Sequence, residues 1–400
     1  MSSRWGGVER LGFLRGTMNI GIEATSIEAS QKAGVGSYTT HLLRALALHP
    51  SDAHTYTLYV RGNAPNVSHK LGITAEQGSH LKPKTLNCPY FWAQLRLPLE
   101  LWKHPQDVYF FPSAVLPVAY QPEHSVVTIH DVAFLFFPEC FSRTLRTWLT
   151  IATKQGIRRA RKVIAVSEAT RQDVLAYYDV APEDVIAIHH GVHERFRIVE
   201  APTVEAVKRK YQIDGPYLLY VGTLQRRKNI PRLLEAFARV KRTAQLPHTL
   251  VLVGQKYADL PEDEVFATIE RLALQREVRW TGYVPDEDMP AVFTGADLFV
   301  LPSFYEGFGM PLLEAMACGV PVACSQTSSL PEVVGEGGLL FDPYRVDEIA
   351  DALHRLLTDA NLRHLLREEG LQRAATFSWT TCAQHTLDVL ASVAKAKPGH

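Results

Sequence analysis

The sequence predicts an α/β protein made of two doubly wound, Rossmann-like domains that face each other across a cleft. Short apolar runs rich in Val, Ile and Tyr alternate with longer helical stretches, which is the pattern of parallel sheets covered by helices. The chain has 400 residues, and a single hydrophobic core rarely extends beyond about 250–300 residues. Because the alternation runs through both halves, each half is expected to form its own sheet.

Each half contains about six strand-like runs, enough for one doubly wound sheet. In the first half these are MNIGIEA, TYTLYV, DVYFFPS, SVVTIHD, KVIAVSE and DVIAIHH. In the second half they are PYLLYVG, TLVLVG, VRWTGYV, DLFVLPS, PVACS and GGLLFDP.

The boundary between the halves lies in residues 196–215, which have many charges, no strand pattern and a Gly-Pro break at their end. We therefore predict an N-terminal domain over residues 18–195 and a C-terminal domain over 216–376, joined by this linker. Residues 377–400 are predicted to form a helix with Ser378 as N-cap, which packs back on the N-terminal domain.

Composition and charge exclude several classes of protein. Lys plus Arg and Asp plus Glu both number 42, giving a formal net charge of zero, whereas a dedicated nucleic-acid binder is strongly basic. No uninterrupted apolar run approaches the roughly 18 residues that cross a bilayer. The five cysteines are scattered, without the spacing of a zinc or redox site, which predicts a reduced, cytoplasmic protein.

Residues 1–17 contain three arginines among glycines and lack the apolar centre of a signal peptide. The first strand-like run begins at Met18. We predict that residues 1–17 are a disordered leader, or that the natural protein starts at Met18.

The stretch SFYEGFGMPLLEAMACGVPV, residues 303–322, places two glutamates eight positions apart around a glycine turn. Glu306 precedes the turn 307–310, whose backbone N–H groups open a helix and can bind an anion or a sugar hydroxyl. Glu314 lies in that otherwise apolar helix, and a buried carboxylate needs hydrogen-bond donors such as the hydroxyls of a ribose. The structural alternatives are a charge that complements the helix dipole for Glu306 and an Arg partner or cap for Glu314.

A second element, VGTLQRRKNIPRLLEAF, places three cations between a strand and a helix. Arg226, Arg227 and Lys228 lie in a loop from which positive charge can reach a diphosphate. The alternative is a basic loop exposed to solvent.

Two features of the N-terminal half follow predicted strands. Gly34 and Gly36, in GVGSY, open a helix and allow the backbone to approach a ligand closely. Thr39 stands at the third glycine position of a dinucleotide-binding motif, which excludes a dehydrogenase. His130 ends the run SVVTIHD on the cleft side of the sheet. The alternative for Gly34 and Gly36 is an ordinary turn at the start of a helix, and the alternative for His130 is a purely structural histidine.

Residues 143–162 contain seven basic residues and no acidic one. This pattern is typical of a solvated helix face, and the alternative is peripheral contact with anionic membrane lipid or a lipid-diphosphate acceptor. The aromatic segment 90–102 is expected in the core, with a partly exposed helix near the acceptor as the alternative. The acidic triplet 286–288 precedes a short helix, where acids suit the helix dipole, and we expect no metal there.

The motifs of the C-terminal half resemble those of a known enzyme family. In order, they are VGTLQRRKN, LVLVGQK, TGYVPDEDMP, PSFYEGFGMPLLEAMACGVPVACS and LPEVVGEGGLLFDP. They are similar to the family 4 retaining glycosyltransferases of GT-B fold, in particular to the mannosyltransferase-like branch that builds polysaccharide and O-antigen chains. The resemblance covers nearly all of this half. Many members have an arginine five or six residues before the lysine that corresponds to Lys228, and this chain has Thr223 there. Either Arg227 takes the place of that arginine, or the chain binds phosphate more weakly.

The resemblance implies a role for each candidate residue. Glu306 and His130, the predicted catalytic residues, would contact the donor sugar, and Glu314 would contact the ribose. The remaining donor-binding positions that the family implies are Gly34, Gly36, Arg227, Lys228, Val284, Gly307, Phe308, Gly309 and Met310. The two cations would neutralise the diphosphate, and the backbone near Val284 would hold the base.

The resemblance therefore predicts transfer of a hexose with retention of configuration to a sugar or lipid-linked acceptor, in polysaccharide, O-antigen or glycolipid synthesis. GDP-mannose is the first choice of donor, a UDP-hexose is the alternative, and no metal or other cofactor is expected. The competing hypothesis is a protein of another functional class, a non-catalytic two-domain binding protein that closes on a small ligand. Such proteins are normally exported, and this chain shows no export signal.

Overall fold

The computed structural model describes residues 17–28, 34–49, 54–61, 67–88, 92–114, 117, 120, 122–256 and 263–394. The prediction about residues 1–17 therefore lies, apart from Thr17, outside the described part of the chain. The strands of the described residues form two parallel sheets, one of seven strands and one of six. The predicted α/β class with two doubly wound sheets is confirmed.

The N-terminal sheet contains β1 (Asn19–Glu23), β2 (Thr55–Val60), β3 (Leu81–Thr85), β4 (Val108–Phe111), β5 (Ser125–Ile129), β6 (Lys162–Ala165) and β7 (Val185–Ala187). The C-terminal sheet contains β8 (Tyr217–Val221), β9 (Thr249–Val253), β10 (Val278–Gly282), β11 (Leu298–Leu301), β12 (Val322–Ser325) and β13 (Gly338–Phe341). Their spatial orders are β3-β2-β1-β4-β5-β6-β7 and β10-β9-β8-β11-β12-β13. In each sheet the order reverses beside the first strand, which is where open α/β sheets bind ligands.

The helices of the N-terminal half are α1 (Val35–Ala47), α2 (Val67–Leu71), α3 (Leu97–Lys103), α4 (Ala133–Phe136), α5 (Arg143–Arg159) and α6 (Glu168–Tyr177). Those that follow are α7 (Ala201–Tyr211), α8 (Ile230–Ala244), α9 (Asp263–Arg271), α10 (Met289–Thr294), α11 (Met310–Ala317), α12 (Leu330–Val334), α13 (Val346–Thr358), α14 (Ala360–Ala375) and α15 (Trp379–Val393). A π-helical turn, Trp92–Arg96, runs directly into α3.

The strand pattern in the sequence does not predict β3. Its sequence LKPKT has two lysines and a central proline, and proline cannot donate to a strand ladder. Among the described strands, β3 pairs with β2 alone and lies at the edge of the sheet, where a proline is tolerated. The other strands overlap the predicted runs, because β-branched and aromatic residues mark them clearly.

Two segments cross between the domains, and they lie side by side. The first follows β7 and the second precedes α15, and the Val192 N–H donates to the Phe377 carbonyl at 3.2 Å. Gly191 permits this approach, because a Cβ there would lie 2.1 Å from the Trp379 nitrogen. The predicted linker 196–215 contains helix α7, which packs against α10 of the C-terminal domain.

Helix α15 packs back on the N-terminal domain, as predicted. The Ser378 hydroxyl caps it, accepting hydrogen bonds from two backbone N–H groups at 3.1 and 3.5 Å. Leu390 is buried in the same core as Ile20 and Leu42, and the helix contacts α1, β4 and β5. The last helix in the described part of the chain therefore completes the first domain.

Helix α5 ends at Arg159, so the predicted basic helix 143–162 is three residues too long, because Lys162 begins β6. The basic side chains of α5 are exposed, together with Leu145 and Ile151. Among the residues described above, no helix is both long enough and apolar enough to cross a bilayer.

Candidate active site

The loop between β11 and α11 (residues 302–309, the glycine loop) carries the turn predicted to bind the donor. Gly309 has a φ of +103° at the N-cap of α11, a conformation that favours glycine. Gly307 lies directly against the N-terminal domain, since a Cβ on it would be 1.8 Å from the carbonyl oxygen of His130. Gly309 therefore allows the helix to begin, and Gly307 allows the two domains to meet.

Two hydroxyl groups at the start of α6 hold the Gly307 carbonyl. Ser167 Oγ donates to it at 2.7 Å and Thr170 Oγ1 at 3.1 Å, and all three groups are buried. From the same loop, Tyr305 Oη donates to Asp173 Oδ2 of α6 at 2.7 Å. The N-terminal domain therefore fixes the position of the glycine loop.

Glu306 forms a buried charge cluster with two cations of the 3₁₀ turn Arg226–Lys228. Its carboxylate accepts hydrogen bonds from Lys228 Nζ, from Arg227 Nη1 at 3.2 Å and from Ser303 Oγ at 2.6 Å. The Arg227 and Lys228 side chains are only 15% and 11% exposed, whereas Arg226 is exposed. The turn is therefore not a solvated basic loop, which was the alternative.

Ionisation in this cluster depends on a competition between burial and pairing. Burial disfavours the charged form of Glu306, but Lys228 and Arg227 outweigh it and lower its pKa to about 2. Burial and the neighbouring Arg227 lower the pKa of Lys228, against the opposing effect of Glu306. With both cations charged, Arg227 and Lys228 carry one more charge than Glu306 neutralises. That charge acts on a phosphate group and also on Asp131, which is described below.

Glu314 lies on α11 and is partly buried, and its carboxylate has no hydrogen-bond or ion-pair partner within the described part of the chain. Burial and then the charge of Asp286 raise its pKa to about 8, and Arg195 opposes this only in part. Arg195 instead bonds to Asp286, with Nη1 3.2 Å from Oδ2, so the structural alternative of an Arg partner for Glu314 is not formed. An unpaired carboxyl group is what contact with a ribose requires, and that contact stays a prediction.

His130 follows β5, and two contacts fix its ring. Nε2 lies 2.8 Å from the Pro112 carbonyl and must carry the proton, because a carbonyl only accepts. The ring meets Tyr38 edge-on, with 4.8 Å between centroids. Burial lowers the pKa of His130, so the ring is neutral near pH 7 and Nδ1 can accept a hydrogen bond. Its contact with a donor sugar stays a prediction.

Asp131, directly after His130, is a site residue that sequence reasoning left unassigned. Its negative charge acts on both Arg227 and Lys228, so a second carboxylate lies near the cluster. Its Oδ1 accepts a hydrogen bond from the Ala133 N–H at 3.0 Å, which fixes the side chain. The signal available in the sequence was its position at the end of a strand.

The other predicted donor-binding residues lie on the glycine loop, at the start of α11, after β10 and at the start of α1. The Phe308 ring packs against His190, at 4.6 Å between centroids, and Met310 contacts the cores of both domains. Val284, in the loop after β10, is 3% exposed. Gly34 has a φ of +51° and opens α1, with Gly36 in its first turn.

The acidic triplet 286–288 has structural partners. Asp286 pairs with Arg195, as described above, and Asp288 accepts hydrogen bonds from Lys210 Nζ at 2.7 Å and Tyr211 Oη at 2.5 Å. Over the ranges that the structure describes, no group of three or more His, Cys, Asp or Glu side chains is arranged to hold a metal ion.

Comparisons with known proteins show the family of the chain. The model described as Glycosyltransferase Family 4 matches residues 33–196, and that described as Glycosyl transferases group 1 matches residues 204–373. The O-antigen chain mannosyltransferase B of Escherichia coli is 34% identical over 282 residues, which are 70% of this chain and 73% of that protein. The chain belongs to glycosyltransferase family 4. It is a glycosyltransferase of the mannosyltransferase-like branch.

A second relative of this glycosyltransferase is longer. The serotype-specific mannosyltransferase WbdA of Escherichia coli is 32% identical over 235 residues, which are 58% of this chain but 28% of that protein.

Solved structures confirm the GT-B fold of this glycosyltransferase. HepE of Anabaena, in a complex with UDP and glucose, superposes with a TM-score of 0.72 at 21% identity, covering 94% of this chain and 100% of that one. WaaG, a glycosyltransferase involved in lipopolysaccharide biosynthesis, gives a TM-score of 0.70 at 17% identity, covering 93% and 99%.

Proposed function

We propose that this glycosyltransferase moves mannose from GDP-mannose, with retention of configuration, to a growing polysaccharide or O-antigen chain. The observation that carries the proposal is the buried cluster of Glu306, Arg227 and Lys228 beside the start of α11. It supplies the fixed positive charge that a diphosphate leaving group needs. The choice of mannose and of a chain acceptor is supported by the names of the two Escherichia coli relatives.

In the proposed reaction, the bond between the anomeric carbon and the diphosphate oxygen breaks, and its electron pair leaves with the diphosphate. Arg227, Lys228 and the backbone N–H groups at the start of α11 stabilise the charge that develops. The acceptor hydroxyl attacks the same face of the sugar, and its proton passes to the leaving phosphate. His130 Nδ1 accepts a hydrogen bond from a sugar hydroxyl, and the neutral carboxyl group of Glu314 accepts from the ribose through its carbonyl oxygen.

A front-face route is favoured over a covalent intermediate on Glu306. This carboxylate already accepts hydrogen bonds from Lys228, Arg227 and Ser303, and its pKa is about 2. Such a stabilised carboxylate is a weak nucleophile. Its role in the proposal is to hold the two cations in place and to accept from a sugar hydroxyl.

The two neighbouring cations Arg226 and Arg227 provide a matched test of donor binding. GDP-mannose at 100 times its dissociation constant should stabilise the wild type by about 2.7 kcal/mol. Arg227→Ala should lose this thermal shift, whereas Arg226→Ala, at an exposed position, should keep it. Absence of a shift with GDP-mannose and with every UDP-hexose tested would contradict a nucleotide-sugar site.

A UDP-hexose is the second candidate donor. HepE, whose fold this chain shares, is known in complexes with UDP-glucose. A larger thermal shift and faster transfer with UDP-glucose than with GDP-mannose would select this alternative. The anomeric configuration of the product, read by NMR, tests retention in either case.

The proposed reaction uses no metal ion or organic cofactor, because Arg227 and Lys228 neutralise the leaving group. Transfer should therefore continue at an unchanged rate in the presence of EDTA. Metal-dependent turnover that EDTA abolishes would refute this part of the proposal.

We also place the protein in the cytoplasm, in peripheral contact with an anionic membrane through α5. The exposed basic side chains of α5 lie beside the exposed Leu145 and Ile151, a combination that suits an anionic bilayer surface. The buried cysteines Cys140, Cys318, Cys324 and Cys382 form no disulfide bond, which supports a reducing compartment. Co-sedimentation with phosphatidylglycerol vesicles but not with phosphatidylcholine vesicles is the expected result, and equal binding to both would refute it.

A further inference from the structure

A pocket in the N-terminal domain lies apart from the charge cluster. Its volume is about 440 Å³, within the range of pockets that bind small molecules. It is lined by Thr25, Arg61, Trp92, Ala93, Gln94 and Trp148. The lining comes from four places in the sequence: the residues just after β1, the residue just after β2, the π-helical turn before α3, and α5.

The pocket opens at the same edge of the sheet as the reaction centre. Thr25 follows β1, Arg61 follows β2 and His130 follows β5, and all the strands are parallel. In the sheet, β1 lies two strands from β5 and β2 lies three strands from it. Adjacent strands are about 4.8 Å apart, so the pocket begins roughly 10–14 Å from His130. This separation corresponds to a short oligosaccharide rather than to a single sugar.

Two tryptophans give the pocket apolar walls. The Trp92 indole is 6% exposed, and its Nε1 donates to the Leu86 carbonyl at 2.7 Å, which fixes the ring. Trp148 reaches the pocket from α5 and is partly buried. A pyranose ring has C–H groups on its faces and hydroxyls around its rim, so flat aromatic walls suit its faces.

Polar groups complete the lining in a way that suits hydroxyls better than phosphates. The Gln94 amide both donates and accepts, and Arg61 donates from its guanidinium. A phosphate or nucleotide would favour several cations, and Arg61 is the single cation among the lining residues that the structure describes. Trp92 and Gln94 belong to a π-helical turn, a rare geometry that is frequent at functional sites.

We propose that this pocket binds a sugar unit of the acceptor, one or two units behind the hydroxyl that attacks the donor. The proposal rests on the proposed function and adds to it a subsite that recognises the acceptor chain away from the reacting hydroxyl. Trp148 packs on a sugar face, and Gln94 and Arg61 bind its hydroxyls. The pocket therefore determines the preference for acceptor length.

The test compares acceptors of different length in variants of the pocket. Wild type should bind mannotriose without donor, seen by saturation-transfer NMR, and should prefer it to methyl α-mannoside in kcat/KM. Trp148→Ala should weaken mannotriose binding about tenfold, the equivalent of roughly 1.4 kcal/mol, and should abolish the length preference. Trp148→Phe should restore most of both, because it keeps an aromatic wall, and it also controls for misfolding.

Trp102→Ala is the matched control, since Trp102 is 65% exposed on α3 and does not line the pocket. It should keep the length preference of the wild type. Equal effects of Trp148→Ala on the monosaccharide and trisaccharide acceptors, or none on either, would overturn the proposal. Because mannotriose binding is measured without donor, failure here is distinct from a failure of GDP-mannose to bind or react.

Discussion

Replacing Gly307 by alanine tests the contact between the two domains at the proposed reaction centre. The new Cβ would lie 1.8 Å from the His130 carbonyl oxygen, whereas real Cβ atoms keep at least 3.0 Å, so the loop or the domain must move by at least 1.2 Å. A movement of this size is large enough to break the bonds from Ser167 and Thr170 to the Gly307 carbonyl, now 2.7 and 3.1 Å long. Two such bonds contribute roughly 2 kcal/mol, or about 30-fold in kcat/KM.

A shift of the reacting groups by about 1 Å can by itself cost about 100-fold in rate, and this sets the upper end of the expected loss. We therefore expect Gly307→Ala to lose 30- to 100-fold in transfer, roughly, with GDP binding largely kept. Steady-state kinetics and a GDP thermal shift measure the two effects. Thr170→Val, which removes one hydroxyl without adding bulk at the interface, should lose only about fivefold. A Gly307→Ala enzyme within about threefold of wild-type kcat/KM would refute the reasoning.

Glu306→Gln should destabilise the fold, by about 3–5 kcal/mol in urea unfolding, because it leaves Arg227 and Lys228 buried without their carboxylate; unchanged stability would contradict this. The pKa of Glu314 is raised to about 8, so the folded state holds a proton that the unfolded state loses near pH 4–5. The stability of the nucleotide-free protein should therefore fall as pH rises from about 5 to 8, and Glu314→Gln should flatten that slope in thermal melts. His190 is buried with a pKa well below the usual value, so below about pH 6 the unfolded state binds a proton that the folded state refuses. The free energy of unfolding should therefore decrease as the pH falls below about 6, and it should decrease less in His190→Phe than in the wild type. The same decrease in both proteins would argue against His190 as the cause.

The strands were predictable because each is a short apolar run between polar helices, and the exception shows why. β3 has lysines and a proline, and only its place at the sheet edge makes it a strand. Helix α7 was missed because its sequence APTVEAVKRKY lies in a stretch with many charges and no strand pattern, and it is stabilised by packing against α10.

The candidate site was predictable as a set of loops but not as a set of contacts. Residues 226–228 and 303–314 carry turn glycines, cations and carboxylates at helix starts, which the sequence displays directly. The pairing of Glu306 with Lys228, which are 78 positions apart, depends on the strand order β8-β11. The hydrogen bonds from Ser167 and Thr170 to the Gly307 carbonyl could not be predicted from the sequence, because every residue has a backbone carbonyl that can accept them.

The two crossing segments limit the mechanics of any opening between the domains. The chain passes from one domain to the other twice, and Val192 and Phe377 join the two passages by a hydrogen bond. A single flexible crossing segment would allow the two domains to twist and slide relative to each other. Two crossing segments that lie side by side leave mainly rotation of one domain about one axis. Each closure would then return Gly307 to the same point against His130, with little search over orientations. Removing α15 would remove the anchor of the second crossing segment on the N-terminal domain, and the domains could then also twist and slide.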